Sequence, residues 1–138
     1  MMVAHNVYSK RSRKKLDECD ERLQAVAEAV LPFVDHSVIT GRRSRKKQQE
    51  AFDEGTSLAR PGQSAHQCKP SMAMDLCPWP IPGEWDDPKN RERFCFLAGY
   101  VVAVAASMGI DLVWGGTFKK LSDLGHFEIA GWREEEDV

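Results

Sequence analysis

Two short segments far apart in the chain hold residue types that could do chemistry together. Near the C-terminus, Leu121-Ser122-Asp123-Leu124-Gly125-His126-Phe127-Glu128-Ile129 reads as a turn followed by a half-buried strand. Alternation puts Phe127 and Ile129 on one face, His126 and Glu128 on the other. An imidazole and a carboxylate pointing the same way, with a further acid at Asp123, suit either a metal site or a polar edge strand with a hydrogen-bonded histidine. Earlier, Ser64-Ala65-His66 precedes Ala73-Met74-Asp75-Leu76. Ala73 and Asp75 share one face of a predicted strand, so a small residue leaves room beside the acid. His66, Asp75 and His126 together make two imidazoles and one carboxylate, a set suited to zinc with one position left for water. Structural zinc sites draw ligands in short-range pairs and close all four positions. A third ligand arriving so much later in the chain is what strands converging on an open catalytic metal would supply.

An open zinc ion lowers the pKa of its water to about 7 and polarises a carbonyl. Peptide hydrolysis then needs a carboxylate that takes the water's proton and passes it to the leaving amine. Asp123 and Glu128 are the two candidates. Asp123 sits on a turn made pliable by Gly125 and can approach the open side without ligating; Glu128 then supports a ligand or the strand. Ser64 orients His66, touches substrate, or punctuates a turn. Cys68, two residues after His66, is an alternative ligand that Asp75 makes unnecessary.

The elements that must position these groups follow from periodicity. Leu16, Leu23, Val26, Ala27 and Val30 recur at helical spacing, predicting one helix over 9–31 stopped by Pro32. Val34 to Thr40 reads as a strand ended by Gly41, then a helix runs from an N-cap at Ser44 to a stop at Gly55. Thr56 to Pro70 is loop-like, Met72 to Cys77 a strand, and Pro78 to Pro88 a second loop. Residues 89–108 predict a buried central helix closed by Gly109. Ile110 to Trp114 is a strand, Gly115-Gly116 a tight turn, and the His126 segment the last strand. The acidic tail from Arg133 to Val138 is expected to fray. The order predicts an α+β fold, a small mainly antiparallel sheet packed with helices.

The totals fit one domain over 1–138: 138 residues, 42% hydrophobic, 29% charged and a net charge of −2. No apolar run is long enough to span a bilayer, and Met1-Met2-Val3-Ala4-His5-Asn6 lacks the basic-then-apolar order of a secretory signal. Synthesis in the cytoplasm is the expectation. Cys19, Cys68, Cys77 and Cys95 form no C-x-x-C pair; Cys19 and Cys95 read as small core residues within helices. The pentapeptide Arg-Ser-Arg-Lys-Lys occurs at 11–15 and again at 43–47, each near a predicted helix start, where positive charge opposes the macrodipole. These runs are either solvated basic faces or attractors for a polyanionic surface such as a bacterial envelope. An acidic chain without a reader motif argues against nucleic acid.

Ser-x-His, Ala-x-Asp and Asp-x-x-His-Phe-Glu, with Gly41-Arg42-Arg43-Ser44 upstream and Trp114-Gly115-Gly116 before the last motif, resemble the zinc D-Ala-D-Ala carboxypeptidase and L-alanyl-D-glutamate peptidase family. The small phage endolysins are the most similar members, and the likeness covers about residues 12–130. It implies His66, Asp75 and His126 as zinc ligands, Asp123 as general base and Arg43 as the arginine that contacts substrate and the developing oxyanion. A guanidinium suits that role because its fixed fork matches carboxylate and carbonyl oxygens. It further implies a bacteriolytic hydrolase cutting the L-Ala–D-Glu bond of peptidoglycan, or alternatively a D,D-carboxypeptidase or dipeptidase trimming terminal D-Ala. A monomer that reaches the wall through a pore made by another protein is the implied setting. A non-catalytic zinc-containing wall-binding module is the reading of another class, which the presence of Asp123 disfavours. Two departures bear on the pocket rim and on substrate choice. Gln67 to Met72 makes a longer, glycine-free loop between His66 and Asp75, and Thr117-Phe118 stands where Asp-Trp is usual.

Overall fold

The helix expected over 9–31 is two helices, and the break has a tertiary cause. The computed structural model describes residues 6–120 and 122–135. In it α1 runs Lys10–Asp17, N-capped by Ser9, and α2 runs Glu21–Val30, N-capped by Asp20, whose side chain accepts from the Arg22 N–H. Between them the backbone pairs with a distant loop: Asp20 N–H donates to the Ser71 carbonyl and Ser71 N–H to the Glu18 carbonyl, each at 2.9 Å. An aspartate offering its own carboxylate to the next helix's N–H groups makes that interruption inexpensive.

The remaining elements are β1 (His36–Thr40), α3 (Arg45–Asp53), β2 (Ala73–Pro78), α4 (Pro88–Ser107), β3 (Leu112–Trp114), β4 (His126–Ile129) and α5 (Trp132–Glu135), with 3₁₀ turns at Ala65–Gln67 and Gly115–Thr117. Ser44 caps α3 as expected. The four strands form one antiparallel sheet in the order β1-β2-β4-β3. The α+β expectation therefore holds.

Met74 and Leu76 of β2 and Phe127 and Ile129 of β4 meet Leu23, Val26 and Val30 of α2 and Leu97 and Val101 of α4 in one core. Helix α4 is not buried all round. It lays Phe94, Leu97, Ala98, Val101 and Ala105 inward at helical spacing, while Phe96 and Tyr100 face solvent at 60% and 38% exposure. Cys95 lies on that outer side and is exposed, so of the two cysteines expected in the core only Cys19 is there.

Helix α1 closes the exposed edge of the sheet. Ser12 Oγ accepts from the Val38 N–H at 3.1 Å and Lys15 Nζ donates to the Ile39 carbonyl at 2.7 Å, occupying edge groups that would otherwise invite another strand. The repeated pentapeptide thus does two jobs: Ser12 is buried inside a helix, whereas Ser44 starts one. Only part of the first run opposes its helix dipole as expected: Arg11 and Arg13 lie in the first turn of α1, whereas Lys14 and Lys15 lie in the last, where positive charge is favourable. The acidic tail is helical through Glu135, with Trp132 buried and Glu135 paired to Arg22 at 3.1 Å. The fraying expected beyond it concerns residues 136–138, outside the described residues.

Candidate metal centre

Asp75 and His126 are direct register partners across β2 and β4, and Ala73 lies opposite Glu128. Side chains paired this way stand about 4.5–5.5 Å apart at Cβ on the same face, so sheet register alone brings the acid to the imidazole. His66 arrives from the 3₁₀ turn, where Ser64 Oγ accepts from the His66 N–H at 3.2 Å. The result is a buried triangle. Asp75 Oδ1 lies 3.0 Å from His126 Nδ1 and 3.3 Å from His66 Nε2, and the two ring nitrogens are 3.2 Å apart.

The outer partners determine what those inward atoms carry. His66 Nδ1 sits 2.8 Å from the Gly41 carbonyl, which can only accept, so it bears the proton and Nε2 turns a lone pair inward. His126 Nε2 lies 2.7 Å from Glu128 Oε1 and its Nδ1 3.0 Å from Asp75 Oδ1, so a ring bound to a cation through Nδ1 would keep its proton on Nε2, toward Glu128. Glu128 is itself held by Trp132 Nε1–H, which donates to Oε2 at 3.0 Å. With a cation inside the triangle, two lone pairs and a carboxylate oxygen would converge on it. The donor set and its outward hydrogen bonds fit a divalent metal.

The electrostatics agree. Burial alone would raise Asp75, but the adjacent His66 and His126 rings outweigh it and hold the carboxyl well below the usual range. Burial would lower His126, but hydrogen bonds to Asp75 and Glu128 raise it to about 10, so without a metal the triangle takes up a proton instead. Positive charge is what this site selects.

Asp123 shares a cavity of about 330 Å³ with His66, His126, Arg43 and Ser64. Burial first, and then the Asp75 charge, push its carboxyl above the ordinary value. Backbone hydrogen bonds tie the turn that carries it to its neighbours. Asp123 N–H donates to the Gly115 carbonyl at 2.9 Å, and the Gly125 carbonyl accepts from Leu76 N–H at 2.8 Å. Gly115 is required by this closeness, since a Cβ there would lie 2.3 Å from the Asp123 carbonyl oxygen. Gly115→Ala should destabilise the fold by about 1–3 kcal/mol through the forced shift of the turn, read as a lower urea midpoint; an unchanged midpoint would show that the turn accommodates the methyl.

Arg43 lies behind the acid. Its Nη2 is 3.7 Å from Asp75 Oδ2, its Nη1 donates to Gln48 Oε1 at 2.9 Å, and its backbone N–H donates to the His66 carbonyl at 2.7 Å. Gln48 is fully buried and anchored in turn by donating to Ser57 Oγ and the Ala59 carbonyl. The sequence reasoning missed Gln48, Trp132 and the Gly41 carbonyl. Trp132 follows Glu128 by four residues and was the one with a readable signal, an aromatic donor placed just after an alternating strand.

Cys68 is buried but outside the three-residue ligand group. The long loop after His66 does not enter the cavity. Ser71 packs fully buried against residues 18–20, and Met72 N–H donates to the Ala65 carbonyl, so the extra length is absorbed into the core. Phe118, one of the two departures, does reach the cavity and lies 5.6 Å from the His126 ring.

Residues 4–130 match the family model of the phage L-alanyl-D-glutamate peptidases. The chain belongs to that family. Among solved structures it is similar to the Serratia marcescens L-Ala D-Glu endopeptidase ChiX, with 27% identity over 95% of each chain and a TM-score of 0.75. It shares its fold with the vancomycin-resistance D,D-pentapeptidase VanY, solved with Zn(II), at 17% identity, 96% and 78% coverage and a TM-score of 0.51. A related structure, VanYB with D-Alanine-D-Alanine, gives 18% identity, 94% and 75% coverage and a TM-score of 0.50. No curated protein matches by sequence. Among the described residues no helix is long and apolar enough to cross a membrane.

Glu128→Ala should weaken metal binding by about 10–100-fold, since it removes the group that orients His126. Trp132→Phe, which frees Glu128 but leaves it in place, should do so by less. A chelator-dye competition titration reads both, and equal affinity in all three proteins would show that the outer hydrogen bonds are idle.

Proposed function

We propose that this chain is a zinc-dependent peptidase that hydrolyses the L-Ala–D-Glu bond of peptidoglycan stem peptides. The observation that carries the reading is the convergence of three ligand atoms, His66 Nε2, Asp75 Oδ1 and His126 Nδ1, beside the half-buried carboxylate of Asp123 in an open cavity. The bond assignment rests on family membership and on the likeness to ChiX, an enzyme of that specificity. Zinc, which is present in the VanY structure of the same fold, would be held by those three residues and would supply Lewis acidity toward a carbonyl and a water.

The protein's own groups supply the rest. Asp123 takes a proton from the attacking water and delivers it to the leaving amine, and its raised proton affinity makes it a better base than a free aspartate. Both oxygens of Glu128 are engaged by His126 and Trp132, which favours Asp123 over Glu128 for this task. Arg43, steadied by Gln48, stabilises negative charge developing on the carbonyl oxygen. Ser64 caps the turn that carries His66 and lines the cavity where substrate would lie. Reaching the wall through a pore made by a separate protein is consistent with membership of a phage peptidase family.

Mass spectrometry of digested peptidoglycan tests the specificity. New L-Ala carboxyl ends are expected. Release of terminal D-Ala instead would make the enzyme a D,D-carboxypeptidase, and an undigested wall would leave a binding module.

A further inference from the structure

A second and larger cavity, of about 770 Å³, lies between α1 and the start of α3, and it brings the two copies of the basic pentapeptide together. Arg11, Lys14 and Lys15 come from the first copy, Arg43 and Lys47 from the second, and Arg42 joins them. The whole chain carries a net charge of −2, so this gathering of cations is local. Lys15 is committed to the Ile39 carbonyl and Arg43 to Asp75 and Gln48. Among the described residues, the side chains of Arg11, Lys14, Arg42 and Lys47 make no ion pair or hydrogen bond. Four cations with no partner around a groove are an unused anion-binding capacity.

The groove adjoins the metal centre. Arg43 lines both cavities, and Gly41, whose carbonyl orients His66, lines the groove. Its walls also carry Glu18, Glu50 and Glu54. Those acids would repel a uniformly anionic polymer. A ligand with carboxylates and an amine is matched by both signs.

We infer that this groove is a second binding site for the stem peptide, receiving free carboxylates and an amine that the peptide carries away from the cut bond. The inference rests on the proposed specificity. The D-Glu residue retains a free carboxylate after peptide linkage, and an amine elsewhere on the peptide would meet Glu18, Glu50 and Glu54. Lys14, Lys47 and Arg42 are then specificity determinants that act on ground-state binding rather than on the chemical step.

Two soluble stem peptides containing the L-Ala–D-Glu bond, one with free carboxylates and one amidated, test this on the zinc-loaded enzyme. Lys14 and Lys47 are exposed, so K14Q and K47Q should keep the wild-type melting temperature. For the acidic peptide the double variant should raise KM about three- to tenfold with kcat unchanged, more at low than at high salt. For the amidated peptide KM should be high already and indifferent to the substitutions. Equal shifts for both peptides, or none, would overturn the inference. So would a loss confined to phosphate-rich wall polymer with peptide KM unchanged, which would assign the groove to that polymer. Calorimetry of the same peptides on D123N protein separates this from the specificity itself. Carboxylate-dependent binding that weakens in K14Q/K47Q keeps the groove even if no L-Ala–D-Glu bond is cut, and binding indifferent to carboxylates and to these lysines dismisses it.

Discussion

Asp123→Asn should lower kcat by about 10²–10⁴-fold, the range of a lost general base, while bound metal stays at the wild-type level. Asparagine keeps the size of the side chain and the backbone hydrogen bond from residue 123 to the Gly115 carbonyl, so the turn should not move. What disappears is the atom that receives the proton. The wild-type carboxylate is suited to that role because burial and the nearby Asp75 raise its proton affinity. The informative comparison is Glu128→Gln at saturating zinc. Glu128 touches His126 and Trp132, so its loss should appear in metal affinity and be largely recovered by added metal. If E128Q at saturating zinc costs as much kcat as D123N, the two acids have exchanged roles.

Removal of a ligand has the second large effect. His126→Ala should abolish stoichiometric metal binding and all measurable activity, and chelation of the wild-type enzyme should give the same silence, reversed by zinc. The metal-free fold should suffer as well. His126 neighbours Asp75 at 3.0 Å in a buried site, and breaking a buried pair from one side costs about 3–5 kcal/mol. A pH signature accompanies this. Because hydrogen bonds to Asp75 and Glu128 raise His126 to about 10 against the pull of burial, the metal-free protein holds a proton at neutral pH that an incoming ion must displace. Apparent affinity should therefore fall as pH falls, by about tenfold per unit for one displaced proton. Calorimetric heats of metal binding in buffers of different ionisation enthalpy measure that proton; heats independent of buffer would contradict the assignment.

Much of the centre could be read from local pattern. Period-two alternation placed His126 and Glu128 on one strand face and Ala73 and Asp75 on another, and strands keep that alternation wherever they pack. Residue chemistry then narrowed the meeting of His66, Asp75 and His126 to a metal. Ser44 as a helix cap was legible for the same reason, since a cap bonds within its own turn.

Other features are made by groups distant in sequence, and no local period carries them. The break after α1 exists because Glu18 and Asp20 pair with Ser71, which a helical run of apolar residues does not reveal. Arg-Ser-Arg-Lys-Lys caps one helix and lies inside another, so identical residues took different roles from their surroundings. Cys95 and Phe96 look as apolar as their neighbours, yet they face outward because α4 packs along one side only. The sequence by itself determined which atoms could bind a metal and which acids could move a proton. Only the tertiary structure decided that Asp75 stands opposite His126 in register, that Gly41 and Glu128 hold the outer nitrogens of the two imidazoles, and that two basic runs close on one groove. The reason is physical: donor chemistry belongs to a residue, whereas register, tautomer and shared cavities are set by partners that the chain must fold to meet.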